Sequence, residues 1–160
     1  MKKPDLKTFD VAIAKSFAPI ANHLKLQVRK LAEGVYEIES REFTVRIRHG
    51  TGHRKDILIT FLPTAERPID VGDLSKEIGL GVVVRFNGET LSDMQFDTED
   101  EYLRYARDLA EAVKKYLVPY LLGLRTDFPE IKEFVAANAE KAVNEISGYR
   151  LPKNVRKEWI

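Results

Sequence analysis

The chain has 160 residues, 44% of them hydrophobic and 32% charged, which is enough for one globular domain that buries about two-thirds of its unfolded surface. Its 26 basic and 25 acidic residues nearly cancel, so we do not expect nucleic acid to be the main partner. The absence of cysteine excludes disulfides and cysteine nucleophiles and suits a cytoplasmic protein. Neither a signal peptide nor a membrane span is expected.

The first third of the chain predicts one helix and two strands. Apolar residues recur every three or four positions over residues 6–23, the spacing of an amphipathic helix, and Pro19 is expected to kink it or end it early. Residues 26–29 and 35–39 are predicted strands, separated by a turn at Glu33-Gly34.

The clearest pattern lies in residues 42–63, a predicted β-hairpin. Apolar and other residues alternate at 43–48 and again at 57–62, so both strands share one apolar face. The loop at 49–55 holds two histidines, two glycines and several cationic residues. With the two earlier strands, the hairpin predicts a four-stranded antiparallel meander.

After the hairpin the pattern weakens before a further strand. Residues 63–81 predict a long connection with one short helical turn, of the kind that is often functional. Residues 82–86 predict a strand, because they are rich in valine. The Asn87-Gly88 turn signal then predicts a short partner strand at 91–96.

The C-terminal third predicts two helices. Thr98 and Glu101 have the spacing of a capping box, and apolar residues then mark one helix face as far as Pro119. A second helix is predicted after Asp127, with a stop at Gly148, so the two helices predict an antiparallel helical hairpin.

Strands followed by helices predict an α+β domain over residues 1–148, with a basic tail at 149–160. The antiparallel sheet of about five or six strands would be packed on one face by the N-terminal helix and the C-terminal helical hairpin. The other face would carry Thr44, Arg46, Arg48, Leu58, Thr60 and Leu62. An exposed face of this mixed character predicts a docking surface, formed by Thr44, Leu58, Thr60 and Leu62. Alternatively, residues 63–81 or the tail cover Leu58 and Leu62.

The hairpin tip admits three interpretations. His49 and His53, with Asp56, are ligand types suited to zinc, but no motif supplies a fourth ligand, so we expect no metal site. The loop glycines could instead turn backbone N–H groups toward an anion, with positive charge from Arg46, Arg48, Arg54 and Lys55 beside the two histidines. The third interpretation, an ordinary solvated hairpin loop, is the one we favour.

No nucleotide-binding, metalloprotease, EF-hand or nucleophile-elbow motif occurs, and no cofactor is expected. The leading helix, the meander with Phe43-Thr44-Val45-Arg46-Ile47 and the late segment at 116–123 resemble small uncharacterised bacterial α+β proteins, some of which are grouped with toxin-immunity proteins. This resemblance carries no catalytic residue. We therefore expect a non-enzymatic protein-interaction domain, immunity-like or chaperone-like, with a protein partner. An anion- or nucleotide-binding module, or an enzyme, that uses the hairpin tip is the alternative, and a homodimer stays open.

Overall fold

The computed structural model describes residues 5–50, 57–91 and 96–147, with side chains as far as residue 138. The chain divides into two compact units, Met1–Arg125 and Thr126–Ile160. The predicted boundary between domain and tail at residue 148 lies where the described residues end, so it stays a prediction.

The N-terminal helix runs without interruption past Pro19. It comprises α1 (Leu6–Ala12), a π-helical turn (Ile13–Phe17) and α2 (Ala18–His23). Proline cannot donate a hydrogen bond to the carbonyl four residues before it, and its ring crowds that carbonyl. The wider π-helical turn lies directly before Pro19 and accommodates this conflict. The expectation that the helix ends early is therefore wrong.

Within the described residues, five strands form one antiparallel sheet in sequential order. They are β1 (Val28–Ala32), β2 (Val35–Glu39), β3 (Phe43–His49), β4 (Ile57–Pro63) and β5 (Ile78–Gly79). The predicted meander of four strands is confirmed, although β1 begins two residues later than the sequence pattern indicated. A turn at Gly34, whose φ is 74°, joins β1 to β2.

One face of the sheet forms the core of the first unit. Val45 and Ile47 of β3 and Ile59 and Phe61 of β4 are 0–3% exposed, as their alternation predicts. The short helix α5 (Val118–Leu121) contacts this face, where the ring of Tyr120 lies 5.0 Å from the ring of Phe61. The predicted apolar face of the hairpin is therefore confirmed.

The predicted strand at 82–86 is wrong, because these residues form helix α3 (Leu80–Phe86). Leu80, Val83 and Val84 are at most 3% exposed and lie three and four residues apart, so burial of this helical face outweighs the strand preference of valine. The Asn87-Gly88 pair does not close a hairpin either. Gly88 has a φ of 79° and, with the residue after it, donates backbone hydrogen bonds to the last carbonyls of α3. Leu91 and Phe96 lie outside strands, and residues 92–95 are outside the described range.

The remaining helices follow the sequence prediction closely. In α4 (Glu99–Tyr116), the hydroxyl of Thr98 accepts a hydrogen bond from the backbone N–H of Glu101 at 3.2 Å, which confirms the cap. In the second unit, α6 (Phe128–Ser147) begins directly after Asp127. A five-stranded antiparallel sheet with helices at both ends of the chain confirms the α+β class.

Candidate functional site

The hairpin tip is described only in part. His53, Arg54 and Lys55 lie in residues 51–56, outside the described range, so the anion and metal hypotheses for the tip stay predictions. His49 ends β3, with its ring centroid 5.3 Å from that of Phe9.

The structure does not bring His49 together with Arg46 and Arg48. Successive side chains of a strand point to opposite faces, so the two arginines leave the sheet on the face away from the apolar core. His49 points to the other side, against the N-terminal helix. Of the six residues predicted to bind an anion, the three that the structure describes therefore lie on two different faces of the sheet, and the prediction for the whole set stays untested.

A row of polar side chains crosses the sheet on the face opposite the core. Cross-strand pairing aligns Arg29 of β1, Glu37 of β2, Arg46 of β3 and Thr60 of β4. Glu37, Arg46 and Thr60 are only 1%, 2% and 6% exposed. Charged groups this deeply buried need partners of opposite charge, because removing an ion from water is costly.

Glu77 supplies one of these partners from the connection between β4 and β5. Its side chain is 1% exposed and accepts hydrogen bonds from Arg46 at 3.1 Å and from Arg48 Nη2 at 2.7 Å, as well as from Thr60. Burial raises the pKa of Glu77, but the hydrogen bonds from Arg48 and Thr60 and the nearby arginine charges lower it more. The pKa therefore lies below its ordinary value.

Glu37 supplies the second buried carboxylate of the row. It accepts hydrogen bonds from Arg29 and, at 3.1 Å, from Arg67 of the connection. Its Oε2 atom lies 3.6 Å from Nε of Arg46, a separation at which the two groups interact through their charges. We call Glu37, Arg46, Arg48, Thr60 and Glu77, together with the partly exposed Arg29 and Arg67 at their edge, the buried ionic row.

The connection at 64–77 therefore covers the face that the sequence pattern predicts to be a docking surface. Arg48 also donates to the carbonyl of Val71 at 3.0 Å, and the hydroxyls of Thr44 and Thr64 lie 2.9 Å apart. Of the four predicted surface residues, Thr44, Thr60 and Leu62 are at most 6% exposed, whereas Leu58 is 43% exposed. The expectation of an exposed face is wrong for these three residues, and the alternative of coverage by residues 63–81 fits Leu62.

A second feature, absent from the sequence analysis, is an open cleft between the N-terminal helix and α4. Its volume is about 810 Å³. One wall comes from residues 15–24 and the other from residues 100–118, all within the first compact unit. The floor includes the buried residues Ile20 and Ala110, with Leu24, Leu103 and Val118 half-buried beside them. We call this feature the α2–α4 cleft.

Cationic side chains predominate at the rim of the α2–α4 cleft. The lining holds four Lys or Arg side chains and two carboxylates: Lys15, Arg104, Arg107, Lys114, Asp100 and Glu111. Lys114 pairs with Glu111 at 2.9 Å. Within the described residues, no ion pair holds Lys15, Arg104 or Arg107, and all three are exposed. Among the described residues, the rim therefore carries an excess of positive charge that could attract an anionic group.

The sequence of α4 contains part of the signal for the cleft, although it does not predict the cleft. Arg104, Arg107 and Lys114 are separated by three and seven residues, so they lie along one side of α4, next to Leu103 and Ala110. In addition to its core face, α4 therefore carries a second stripe, which is cationic and partly apolar. A predominantly cationic stripe is usual on a solvated helix face, however, and the wall opposite it comes from a distant part of the chain.

Among the described residues, no cluster of three or more potential ligands could hold a metal ion. None of the helices in the described ranges is both long and apolar enough to cross a membrane. Comparison of the chain with protein-family models, with curated proteins and with solved structures finds no match.

Proposed function

We propose that the protein is a non-enzymatic protein-interaction domain and that the α2–α4 cleft binds an acidic segment of a partner protein. The observation that carries this proposal is a set of three exposed cationic side chains around an apolar floor, Lys15, Arg104 and Arg107, none of which has an ion-pair partner in the described part of the chain. Apolar contact would supply affinity, and charge complementarity would supply specificity and a fast association rate.

The openness of the cleft favours a protein segment over a small molecule. A small-molecule site usually encloses about 70–90% of its ligand. Here eight of the lining residues, including Pro19, His23 and all the charged side chains, are exposed. A ligand in this cleft would keep one side in solvent, as a segment of a larger partner does.

The buried ionic row supports a binding role less well than the cleft does. Arg46 and Arg48 already contact Glu77, so an anion could reach them only by displacing a buried carboxylate and the connection that carries it. Such displacement leaves a buried charge without its partner, which is costly. The row therefore fits a role in holding the connection at 64–77 against the sheet.

The proposal is tested by selecting binders from a random peptide display library on the purified protein. We expect the selected peptides to combine acidic and apolar residues and to bind more weakly as salt rises, because salt screens exposed charges. Binding should be lost in the double variant Arg104→Glu/Arg107→Glu, whose melting temperature should stay near that of the wild type.

The matched control is Lys7→Glu/Arg41→Glu, which changes the net charge by the same amount at exposed positions outside the cleft. This variant should bind the selected peptides as the wild type does. Selected peptides without acidic residues, or equal binding by both double variants, would contradict the proposal. In that event the hairpin tip, with His49 and His53, becomes the next candidate surface.

A further inference from the structure

The walls of the α2–α4 cleft restrict the conformation of whatever binds there. Both walls are mainly helical, and a helix uses its backbone N–H and C=O groups internally except at its ends and where a proline such as Pro19 removes a donor. The cleft therefore offers no row of free main-chain groups such as a sheet edge offers to an added strand. An extended segment would turn some of its own N–H and C=O groups toward the apolar floor, where they lack partners, and this costs free energy for each such group. A helical segment satisfies these groups itself.

The α4 wall of the cleft, which is the longer of the two, has room for a facing helix of several turns. Along α4, the lining extends from Asp100 to Lys114. At about 1.5 Å per residue, this stripe is roughly 21 Å long, which matches a facing helix of about 14 residues, or four turns. Helices that dock in grooves present apolar residues three and four positions apart, and the floor at Ile20, Leu24 and Leu103 supplies the apolar counterpart.

The charges define the flanks of that helix. Lys15 stands on one wall and Arg104 and Arg107 on the other, so acidic residues are required on both sides of the apolar stripe. The chain's own residues 149–160 contain four Lys or Arg residues and one Glu, so their charge has the same sign as the rim. Their charge is therefore not complementary to that of the rim.

We infer that the α2–α4 cleft binds an amphipathic α-helix of a partner protein, about four turns long, with acidic residues flanking its apolar stripe. This inference rests on the proposed function and specifies the conformation and pattern of the bound segment. A helix binds through the register of its side chains, so its residue order determines affinity as strongly as its composition does.

Three synthetic peptides of about 15 residues test the inference; the first two contain only Ala, Leu and Glu. In the first, Leu recurs at positions three and four apart with Glu on both flanks; the second has the same composition in shuffled order. The third is the first peptide with one central proline, which prevents a continuous helix. We expect the first to bind, to gain helical circular dichroism on binding, and to bind about tenfold or more tighter than the other two. Arg104→Glu/Arg107→Glu should abolish its binding.

Equal affinity for all three peptides would overturn the inference but not the proposed function, because charge alone would then explain binding. The inference would also be overturned if display-selected acidic peptides bind in an extended conformation and the amphipathic peptide does not bind. The proposed function would survive that result. If Arg104→Glu/Arg107→Glu leaves all binding unchanged, both proposals fail. Self-association that depends on Arg104 and Arg107, and that the first peptide does not inhibit, would identify a second copy of this chain as the occupant and overturn the inference.

Discussion

Removal of the Glu77 charge provides the most direct test of the buried ionic row. Glu77→Gln keeps the size of the side chain and one acceptor oxygen but leaves Arg46 and Arg48 without the carboxylate they share. Removing one partner of a buried ion pair typically lowers the free energy of unfolding by about 3–5 kcal/mol. Because the glutamine side chain still offers one acceptor oxygen to the arginines, we expect a loss near the lower value. A loss of about 3 kcal/mol is a large part of the roughly 5–15 kcal/mol that stabilises a domain.

Urea unfolding followed by circular dichroism at pH 7 measures this loss. A thermal melt should show a decrease of roughly 6–12 °C, since about 1 kcal/mol corresponds to 2–4 °C in a chain of this size. The matched control is Glu89→Gln, because Glu89 pairs with Lys115 at 3.2 Å but both side chains are at least 50% exposed. We expect the control to unfold almost as the wild type does.

The pH dependence separates the effect of charge from the effect of shape. The folded-state pKa of Glu77 lies below its ordinary value of 4.5, so the carboxylate stabilises the fold fully above that value. The contribution is lost as the pH falls through the folded-state pKa. The difference in unfolding free energy between wild type and Glu77→Gln should therefore shrink below about pH 4.5. A difference that stays constant with pH, or an equal loss in Glu89→Gln, would refute the reasoning.

Three further predictions concern the core and its edges. Ile47→Asp should abolish the cooperative urea transition, because Ile47 is 0% exposed and an unpaired buried charge costs several kcal/mol; a normal transition would show that the strand register is wrong. Gly34→Ala should lower the melting temperature more than Gly79→Ala. Gly34 has a φ of 74°, which strains any residue with a side chain, and a Cβ added there would lie 3.2 Å from a side-chain carbon, whereas a Cβ added at Gly79 has no neighbour within 4 Å. Equal melts would contradict this. Tyr36 donates to Asp10 at 2.6 Å, and burial with this hydrogen bond raises its pKa to about 12. Tyr36→Phe should therefore lower the free energy of unfolding at pH 7. The difference from the wild type should disappear as the pH rises from about 10 through 12. A spectrophotometric titration in which no tyrosine ionises near pH 12 would contradict the assignment.

Secondary structure was predictable from the sequence where the spacing of apolar or capping residues fits only one kind of element. Alternation in residues 43–48 and 57–62 predicted both strands and their apolar face, and the spacing of Thr98 and Glu101 predicted the start of α4. The valine run at 82–86 has two interpretations, because strand preference and a helical face at 80, 83 and 84 compete, and only burial decides between them.

The features around the sheet and the cleft depend on long-range contacts. Alternation placed Arg46 and Arg48 on the correct face, but their partner Glu77 lies about 30 residues further along the chain, beyond the reach of any local pattern. The α2–α4 cleft likewise joins residues 15–24 to residues 100–118. Neither the pairing of buried charges nor the meeting of two helices can be obtained from spacing within one segment.

The long sequence separation within the buried ionic row has a consequence for folding. The β2–β3 and β3–β4 pairs are formed by neighbouring segments, whereas the contacts of Glu77 with β3 close loops of 29 and 31 residues. Contacts between distant residues carry a larger loop-closure entropy, so we expect the meander to form before the connection docks. In that intermediate the uncovered face of the sheet presents arginine and glutamate side chains beside Leu58 and Leu62. Charged groups discourage association of partly folded chains, so the row should also protect the protein from aggregation during folding.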